Sequence, residues 1–189
     1  MIDVNGKMYR DLTKILVTRE EIAEKVKELG RRITEDYQGK EPVMVCILKG
    51  GVIFFSDLVR AIDLPVSMDF MAISSYGSAT KTSGVVRVLK DLDKDILNRD
   101  VIIVEDIVDS GVTLNYLKGM LNHRGAASIR IATLLDKPAR RRVKDLKVDY
   151  SCFNIPDEFV VGYGLDYDQI YRNLPDIGVL SPGVYEKGE

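Results

Sequence analysis

Histidine and cysteine are scarce in this sequence, which limits the chemistry that its side chains can provide. His123 is the only histidine, and Cys46 and Cys152 are the only cysteines, among 189 residues. The cysteines lie in separate apolar patterns, so we predict buried free thiols rather than a disulfide or a zinc site. His123 is predicted to cap the end of a helix. Carboxylates must therefore carry any acid–base work.

Long apolar runs and long basic runs are also missing. No stretch has the roughly 20 apolar residues of a transmembrane helix, and the N-terminus, Met-Ile-Asp-Val-Asn-Gly, lacks the pattern of a signal peptide. We therefore expect a cytoplasmic protein that binds no membrane. The basic run at 140–142 is short and is interpreted as the solvated start of a helix. With a net charge of −2, we expect no nucleic-acid partner.

The composition is typical of a globular domain, with 46% apolar and 30% charged residues. The length fits a single domain over residues 1–189 with a substantial core. Apolar strand patterns alternate with helical patterns, which predicts an α/β fold with a mostly parallel sheet covered on both faces. The predicted helices are 19–36, which opens with a capping box at Thr18 and Glu21, 52–61 and 113–123. The predicted strands are 43–48, 66–73, 85–89, 101–104, 128–135, 160–163 and 177–180.

The most informative segment covers residues 101–114, Val-Ile-Ile-Val-Glu-Asp-Ile-Val-Asp-Ser-Gly-Val-Thr-Leu. Its four β-branched residues predict a buried parallel strand. Glu105 and Asp106 are expected at the carboxyl end of that strand, where open α/β sheets bind ligands. The turn at 109–113 then opens a helix, whose free N–H groups and dipole favour anions. An acidic pair beside a phosphate cradle suits a ribose 5-phosphate, whereas the alternative is an ordinary solvated loop.

This segment resembles the signature of type I phosphoribosyltransferases, which bind 5-phosphoribosyl 1-pyrophosphate. The resemblance implies the α/β fold of that family, with a small hood formed by the N-terminal and C-terminal segments. It implies that Glu105 and Asp106 hold the ribose hydroxyls, directly or with Mg²⁺. The 5-phosphate would be bound by the residues of the turn, Asp109, Ser110, Gly111, Val112 and Thr113.

Positions 109 and 112 of this turn affect the predicted chemistry and the predicted phosphate binding. We predict that Asp109 is the general base for the N7 proton of a purine, and its alternative role is that of a helix N-cap. Val112 stands where some relatives have lysine. Phosphate binding must therefore rely on backbone N–H groups, Ser110 and Thr113.

A second loop, Leu-Lys-Gly-Gly at 48–51, follows the first buried strand. Its paired glycines permit a close approach of the backbone to a ligand, and Lys49 adds a point charge. An ordinary strand-to-helix turn has the same sequence. The resemblance implies a pyrophosphate loop built from Lys49 and Gly50, often with an unusual peptide conformation that the sequence does not reveal. Arg172 matches a basic residue that reaches pyrophosphate, with a surface ion pair as the alternative.

The segment 74–84 is rich in serine, glycine and threonine and has no core pattern. It begins with Ser74, Ser75, Tyr76 and Gly77, which resembles the mobile catalytic loop of the hypoxanthine-guanine members of the family. The resemblance implies a lid that excludes water from the reacting centre. The tip of a hairpin is the alternative.

The remaining matches concern the purine. A lysine at the place of Lys137 donates to the exocyclic oxygen of a 6-oxopurine in the family, which disfavours adenine. Phe159 would stack on the base, Val160 would bind it through the backbone, and Asp166 would lie near its amino edge. The alternatives are a solvated Lys137 and a Phe159 in the core. Asp166 also matches a metal-associated site, so the implied Mg²⁺ ligands are Glu105, Asp106 and Asp166.

The matches extend from residue 48 to residue 172 in the order of the family. They imply a purine salvage enzyme that joins hypoxanthine and guanine to 5-phosphoribosyl 1-pyrophosphate and releases pyrophosphate. Its partners would be these small molecules and further copies of the chain, in a homodimer or homotetramer. Adenine, uracil and orotate transferases are disfavoured by Lys137 and the 159–166 segment. The competing class is a nucleotide-sensing regulator on the same fold, which needs a DNA-binding domain or basic face that the sequence does not show.

Overall fold

Parallel pairing dominates the larger of two β-sheets in the computed structural model, which describes residues 6–75 and 86–185. The strands are β1 (Leu12–Val17), β2 (Val43–Leu48), β3 (Ser67–Ser75), β4 (Val86–Lys90), β5 (Asp100–Val108), β6 (Ser128–Asp136), β7 (Tyr150–Asn154), β8 (Val160–Val161) and β9 (Ile177–Leu180). The helices are α1 (Arg19–Asp36), α2 (Val52–Ala61), α3 (Val112–His123) and α4 (Pro182–Tyr185), with 3₁₀ turns at Lys7–Asp11 and Pro138–Arg140.

The larger sheet has the order β4-β3-β2-β5-β6-β7, and only β4 runs antiparallel to its neighbour. The smaller sheet has the order β1-β9-β8 with antiparallel pairing. It joins a strand near the start of the chain to two strands near its end. The predicted α/β class, with a mostly parallel sheet and a small additional region, is confirmed.

Both faces of the larger sheet are covered, because the residues of its central strands alternate between two apolar clusters. Met44 and Cys46 of β2 pack in the cluster that contains the buried side chains of α1 and α2. Val45 and Ile47 pack in the other, with those of α3. Central parallel strands are apolar on both faces for this reason. Both cysteines are buried and free, as predicted.

Helix α1 shows how local sequence determines an element here. The Thr18 hydroxyl accepts from the backbone N–H of Glu21, and the Glu21 carboxylate accepts from the N–H of Thr18 at 2.8 Å. This is the predicted capping box. The apolar residues that follow at helical spacing are all buried, namely Ile22, Val26, Leu29 and Ile33. The predicted bounds of this helix are confirmed at both ends.

Several predictions of local structure are wrong. Strand β5 continues to Val108, so Glu105 and Asp106 lie within it rather than at its end. The ladder with β6 continues through this part of the strand, where Ile107 pairs with Leu135. Arg140 ends a 3₁₀ turn instead of starting a solvated helix. Arg141 forms an ion pair with Asp136, and its side chain is only 12% exposed.

Two predictions remain, one on membrane-spanning helices and one on the lid at 74–84. Among residues 6–75 and 86–185, no helix is long and apolar enough to cross a membrane. Ser74 and Ser75 are the last residues of β3, whereas Tyr76, Gly77 and the rest of the predicted lid lie outside the described residues.

Candidate active site

Three loops that carry the predicted site residues meet at one edge of the larger sheet. They follow β2, β5 and β6, which are adjacent and parallel. Their carboxyl ends therefore lie side by side, where ligands bind in sheets of this kind. Lys49 and Gly50 follow β2, the 109–113 turn follows β5, and Lys137 follows β6.

The buried surroundings of Glu105 and Asp106 on β5 disfavour the negative charges of their carboxyl groups. Glu105 Oε2 is buried and has no hydrogen-bond partner in the part of the chain that the structure describes. Burial, and then the charge of Asp106, raise the pKa of Glu105 well above its usual value. Burial also raises the pKa of Asp106, although the backbone N–H of Ile107 opposes this by donating to Oδ1 at 2.7 Å. Two adjacent carboxyl groups in such surroundings favour a bound cation or hydroxyl donors.

The loop after β2 packs directly on this acidic pair. The Leu48–Lys49 peptide bond is cis. A Cβ atom added at Gly50 would lie 1.6 Å from Asp106 Oδ2, so only glycine fits there without displacement. On the other side, a Cβ atom at Gly164 would lie 2.1 Å from the Gly50 carbonyl oxygen. The loop is thus held between β5 and the segment after β8.

The turn after β5 surrounds a small pocket at the start of α3. Gly111 is the N-cap residue, with a left-handed φ of 77°, and no side chain of the described residues caps the helix. The alternative in which Asp109 is the N-cap is therefore wrong. The pocket has a volume of about 160 Å³ and is lined by Glu105, Ile107, Val108, Asp109, Ser110, Gly111, Thr113 and Leu114. Val112 begins α3 and does not line it. Free N–H groups at the start of a helix bind anions.

Lys137 is buried, which excludes the solvated alternative. Its residue is only 7% exposed. The Nζ atom donates to the Glu158 carbonyl at 2.6 Å and lies 3.8 Å from Asp157 Oδ1. These contacts direct the ammonium group to the segment that precedes Phe159. An ammonium group has three donors, so it can bind a ligand oxygen in addition.

Phe159 is exposed rather than part of the core, and it belongs to an aromatic group. It is 41% exposed. Its ring is stacked on that of Tyr185 with the centroids 5.1 Å apart, and it meets the edge of Tyr167 at 5.8 Å. Val160 next to it is buried in β8. The sequence interpretation missed Tyr167 and Tyr185, although an aromatic residue directly after Asp166 was a usable signal.

Arg172 and Lys49 are brought together by a residue that the motif analysis missed. Gln169 Oε1 accepts from Lys49 Nζ at 3.2 Å and from Arg172 Nη2 at 3.5 Å. Arg172 Nη2 also lies 2.7 Å from Asp166 Oδ1, and Nη1 donates to the Gly164 carbonyl at 2.7 Å. Arg172 thus forms an ion pair in which both side chains are only 24% exposed, and its partner is itself a candidate site residue.

The three predicted metal ligands do not form a ready cluster. No group of three or more His, Cys, Asp or Glu side chains suited to a metal ion occurs in the described ranges 6–75 and 86–185. Asp166 pairs with Arg172 and accepts from the N–H of Gln169 at 2.8 Å. Glu105 and Asp106 remain as an adjacent candidate pair.

Known proteins resemble this chain over most of its length. The family model for the phosphoribosyl transferase domain matches residues 13–168. The chain belongs to the phosphoribosyltransferase family. It is 53% identical over 180 residues to the hypoxanthine-guanine phosphoribosyltransferase of Streptococcus thermophilus, covering 95% of this chain and 99% of the relative. The Bacillus subtilis protein of the same name is 52% identical over 179 residues, with the same coverage.

A solved structure supports the same assignment for the fold of this phosphoribosyltransferase. The hypoxanthine phosphoribosyltransferase of Staphylococcus aureus superposes with a TM-score of 0.93 at 50% identity, covering 97% of this chain and 99% of the other. The likeness therefore extends over nearly the whole of both chains.

Proposed function

We propose that this phosphoribosyltransferase joins hypoxanthine or guanine to 5-phosphoribosyl 1-pyrophosphate, giving IMP or GMP and pyrophosphate, in purine salvage. The observation that carries the proposal is the juxtaposition at one sheet edge. An anion-sized pocket of about 160 Å³ lies at the start of α3. Lys137 directly follows the adjacent strand β6, and its ammonium group is directed to the segment before the exposed ring of Phe159. The names of the most similar relatives support this substrate class.

The sugar phosphate would be held at two points of β5 and the turn after it. The 5-phosphate would enter the small pocket, bound by N–H groups of the turn with Ser110 and Thr113. Glu105 and Asp106 would bind the ribose hydroxyls. Binding energy from a phosphate remote from the reacting carbon would then orient that carbon. Lys49, Gly50 and Arg172 would bind the pyrophosphate, with Gln169 holding the two cations in place.

Mg²⁺ fits the acidic pair as the cofactor. Glu105 Oε2 is a buried oxygen without a hydrogen-bond partner within 6–75 and 86–185, and carboxylate oxygen is a ligand that Mg²⁺ prefers. The ion typically takes one or two carboxylates together with substrate phosphates and waters. Asp166 is therefore not required as a direct ligand while it pairs with Arg172. When bound, Mg²⁺ would neutralise charge that develops on the leaving pyrophosphate.

The protein's own groups would then guide the transfer. The bond between the anomeric carbon and the pyrophosphate oxygen breaks, which leaves an oxocarbenium-like sugar, as in glycoside chemistry. A purine nitrogen forms the new bond, and Asp109 accepts the N7 proton. A lid over 74–84 would exclude water at this stage. The smaller sheet would be the hood that adjoins the base.

The test of this proposal is pyrophosphate release by the purified protein. Hypoxanthine, guanine, xanthine and adenine would be offered separately with 5-phosphoribosyl 1-pyrophosphate and Mg²⁺. We expect release with hypoxanthine and guanine, none with adenine, and loss of activity when EDTA removes Mg²⁺. Absence of pyrophosphate release with every base, in a protein that still binds the sugar phosphate, would favour a regulator instead.

Light scattering would test the predicted homodimer or homotetramer. The cytoplasmic location stays a prediction.

Lys137 offers a direct test of purine recognition. We expect Lys137→Met to raise the KM for hypoxanthine roughly tenfold to a hundredfold, because the carbonyl group of the base would lose a charged donor worth about 1–3 kcal/mol. Methionine keeps most of the buried stem, so packing should change little. The KM for the sugar phosphate should stay within about twofold, since its proposed contacts lie elsewhere. Steady-state kinetics with each substrate varied would measure both values.

A matched control for that substitution is Lys147→Met, since the Lys147 side chain is 78% exposed and forms an ion pair with Asp149, away from the proposed purine contacts. It should leave both KM values unchanged. An unaltered KM for hypoxanthine in Lys137→Met would remove Lys137 from the purine site.

A further inference from the structure

Arg140 lies between two carboxylates that belong to different parts of the site. Its Nε atom is 2.9 Å from Asp109 Oδ1, and its Nη1 atom donates to Asp157 Oδ1 at 3.2 Å. Asp109 is the proposed base in the turn after β5, and Asp157 lies in the segment before Phe159. Arg140 thus connects the 109–113 turn, here called the phosphate turn, to the segment directly before Phe159.

The backbone around Arg140 is fastened to the phosphate turn. The N–H of Lys137 donates to the Val108 carbonyl at 2.9 Å, immediately before Asp109. Beyond Arg140, the N–H of Arg142 donates to the Ser110 carbonyl at 3.0 Å. The segment that carries the guanidinium group is therefore held on both sides of Arg140, so the position of Arg140 relative to Asp109 is set by main-chain contacts.

The negative charge of the Asp109 carboxylate is balanced at one oxygen by the Arg140 cation. Asp109 Oδ1 is buried and has no hydrogen-bond partner among the described residues, so its contact with Arg140 is an ion pair without hydrogen-bond geometry. The hydrogen bond to Asp157 and the charge of Asp109 raise the pKa of Arg140, which stays a cation. A buried carboxylate oxygen is costly unless such a charge faces it.

We infer that Arg140 is a positioning residue for the proposed base: it holds Oδ1 of Asp109, so that Oδ2 is presented to the purine. Through Asp157 it also ties the orientation of Asp109 to the segment before Phe159. This inference rests on the proposed function, in which Asp109 accepts the N7 proton. Arg140 itself touches no reacting atom in this scheme.

The test is the single-turnover rate of IMP formation at saturating substrates, which reports the chemical step even if product release limits turnover. We expect Arg140→Ala to lower this rate roughly tenfold, since a misplaced base loses much of its effect. Both KM values should change less than about twofold. Arg140→Lys should keep part of the rate, because lysine retains the charge that faces Asp109 but lacks the fork that also donates to Asp157. Arg31→Ala, which removes an exposed ion pair on α1, is the control and should have no effect.

A double mutant separates this inference from the proposed function. In an Asp109→Asn background, Arg140→Ala should lower the rate no further, because the carboxylate that it positions is gone. A full additional loss there would show an independent role and overturn the inference, as would an unchanged rate in the single mutant. A raised KM for the sugar phosphate with an unchanged rate would also overturn it. Wild-type turnover in Asp109→Asn alone would instead remove the proposed base.

Discussion

Asp109→Asn should lower the single-turnover rate of IMP formation by about 10²- to 10⁴-fold, the range expected when a general base is removed. Asparagine has nearly the same shape as aspartate but cannot accept the purine proton at neutral pH. The helix should not suffer, because Gly111 rather than Asp109 occupies the N-cap position of α3. The loss is therefore expected in the chemical step and not in folding.

Nucleotide affinity distinguishes a base from a phosphate ligand at this position. The proposed phosphate contacts are mainly backbone N–H groups, so the Kd for IMP in Asp109→Asn should stay within about fivefold of wild type. Rapid-quench kinetics and calorimetry would measure the two quantities on the same protein. Asp63→Asn is a suitable control. Asp63 is exposed and lies just after the C-terminal end of α2, whereas the loop of the site precedes the start of that helix. Unchanged turnover, or a loss of IMP affinity as large as the loss of rate, would contradict the role as base.

Elements with a strong local signal could be predicted from the sequence. The capping box of Thr18 and Glu21 and the apolar spacing that follows determine α1 without help from the rest of the chain. The buried residues of β2 and the glycine pair after them likewise predicted the position of the loop at 48–51. In each case a few adjacent residues contain the information, so the bounds agree closely with the structure.

Features that depend on distant partners could not be predicted in this way. Strand β1 has only Val17 buried and exists through its pairing with β9, more than 150 residues later. The extension of β5 past its two acidic residues depends on the continuing ladder with β6. No local pattern reports such pairings, because three of the six residues of β1 are exposed and the extension of β5 begins with two carboxylates.

The same distinction applies to the candidate site. The phosphate turn and the 159–166 segment are contiguous motifs, so their residues could be named from the sequence. Gln169, which links Lys49 to Arg172, and Arg140, which faces Asp109, act through contacts across 120 and 31 positions. The sequence also did not show that Asp166, a predicted metal ligand, has Arg172 as an ion-pair partner.

Gly50→Ala should abolish most activity, with a fall of roughly a hundredfold in kcat/KM for 5-phosphoribosyl 1-pyrophosphate. The added Cβ atom would lie 1.6 Å from Asp106 Oδ2, which is far inside contact distance. Either the loop or the acidic side chain must move. Because both are proposed to hold the same substrate, a shift of about 1 Å in either one separates groups that must act together.

Gly119→Ala is the matched control for this substitution. An added Cβ atom at Gly119 meets nothing within 4 Å, and the residue lies inside α3. Activity should be unchanged, and stability should rise by up to about 1 kcal/mol, since alanine is the better helix former. Steady-state kinetics and urea unfolding of both variants would separate an effect on the site from an effect on folding. If Gly50→Ala kept activity within about fivefold of wild type while folding normally, the close approach of this loop to Asp106 would not be required for sugar phosphate binding.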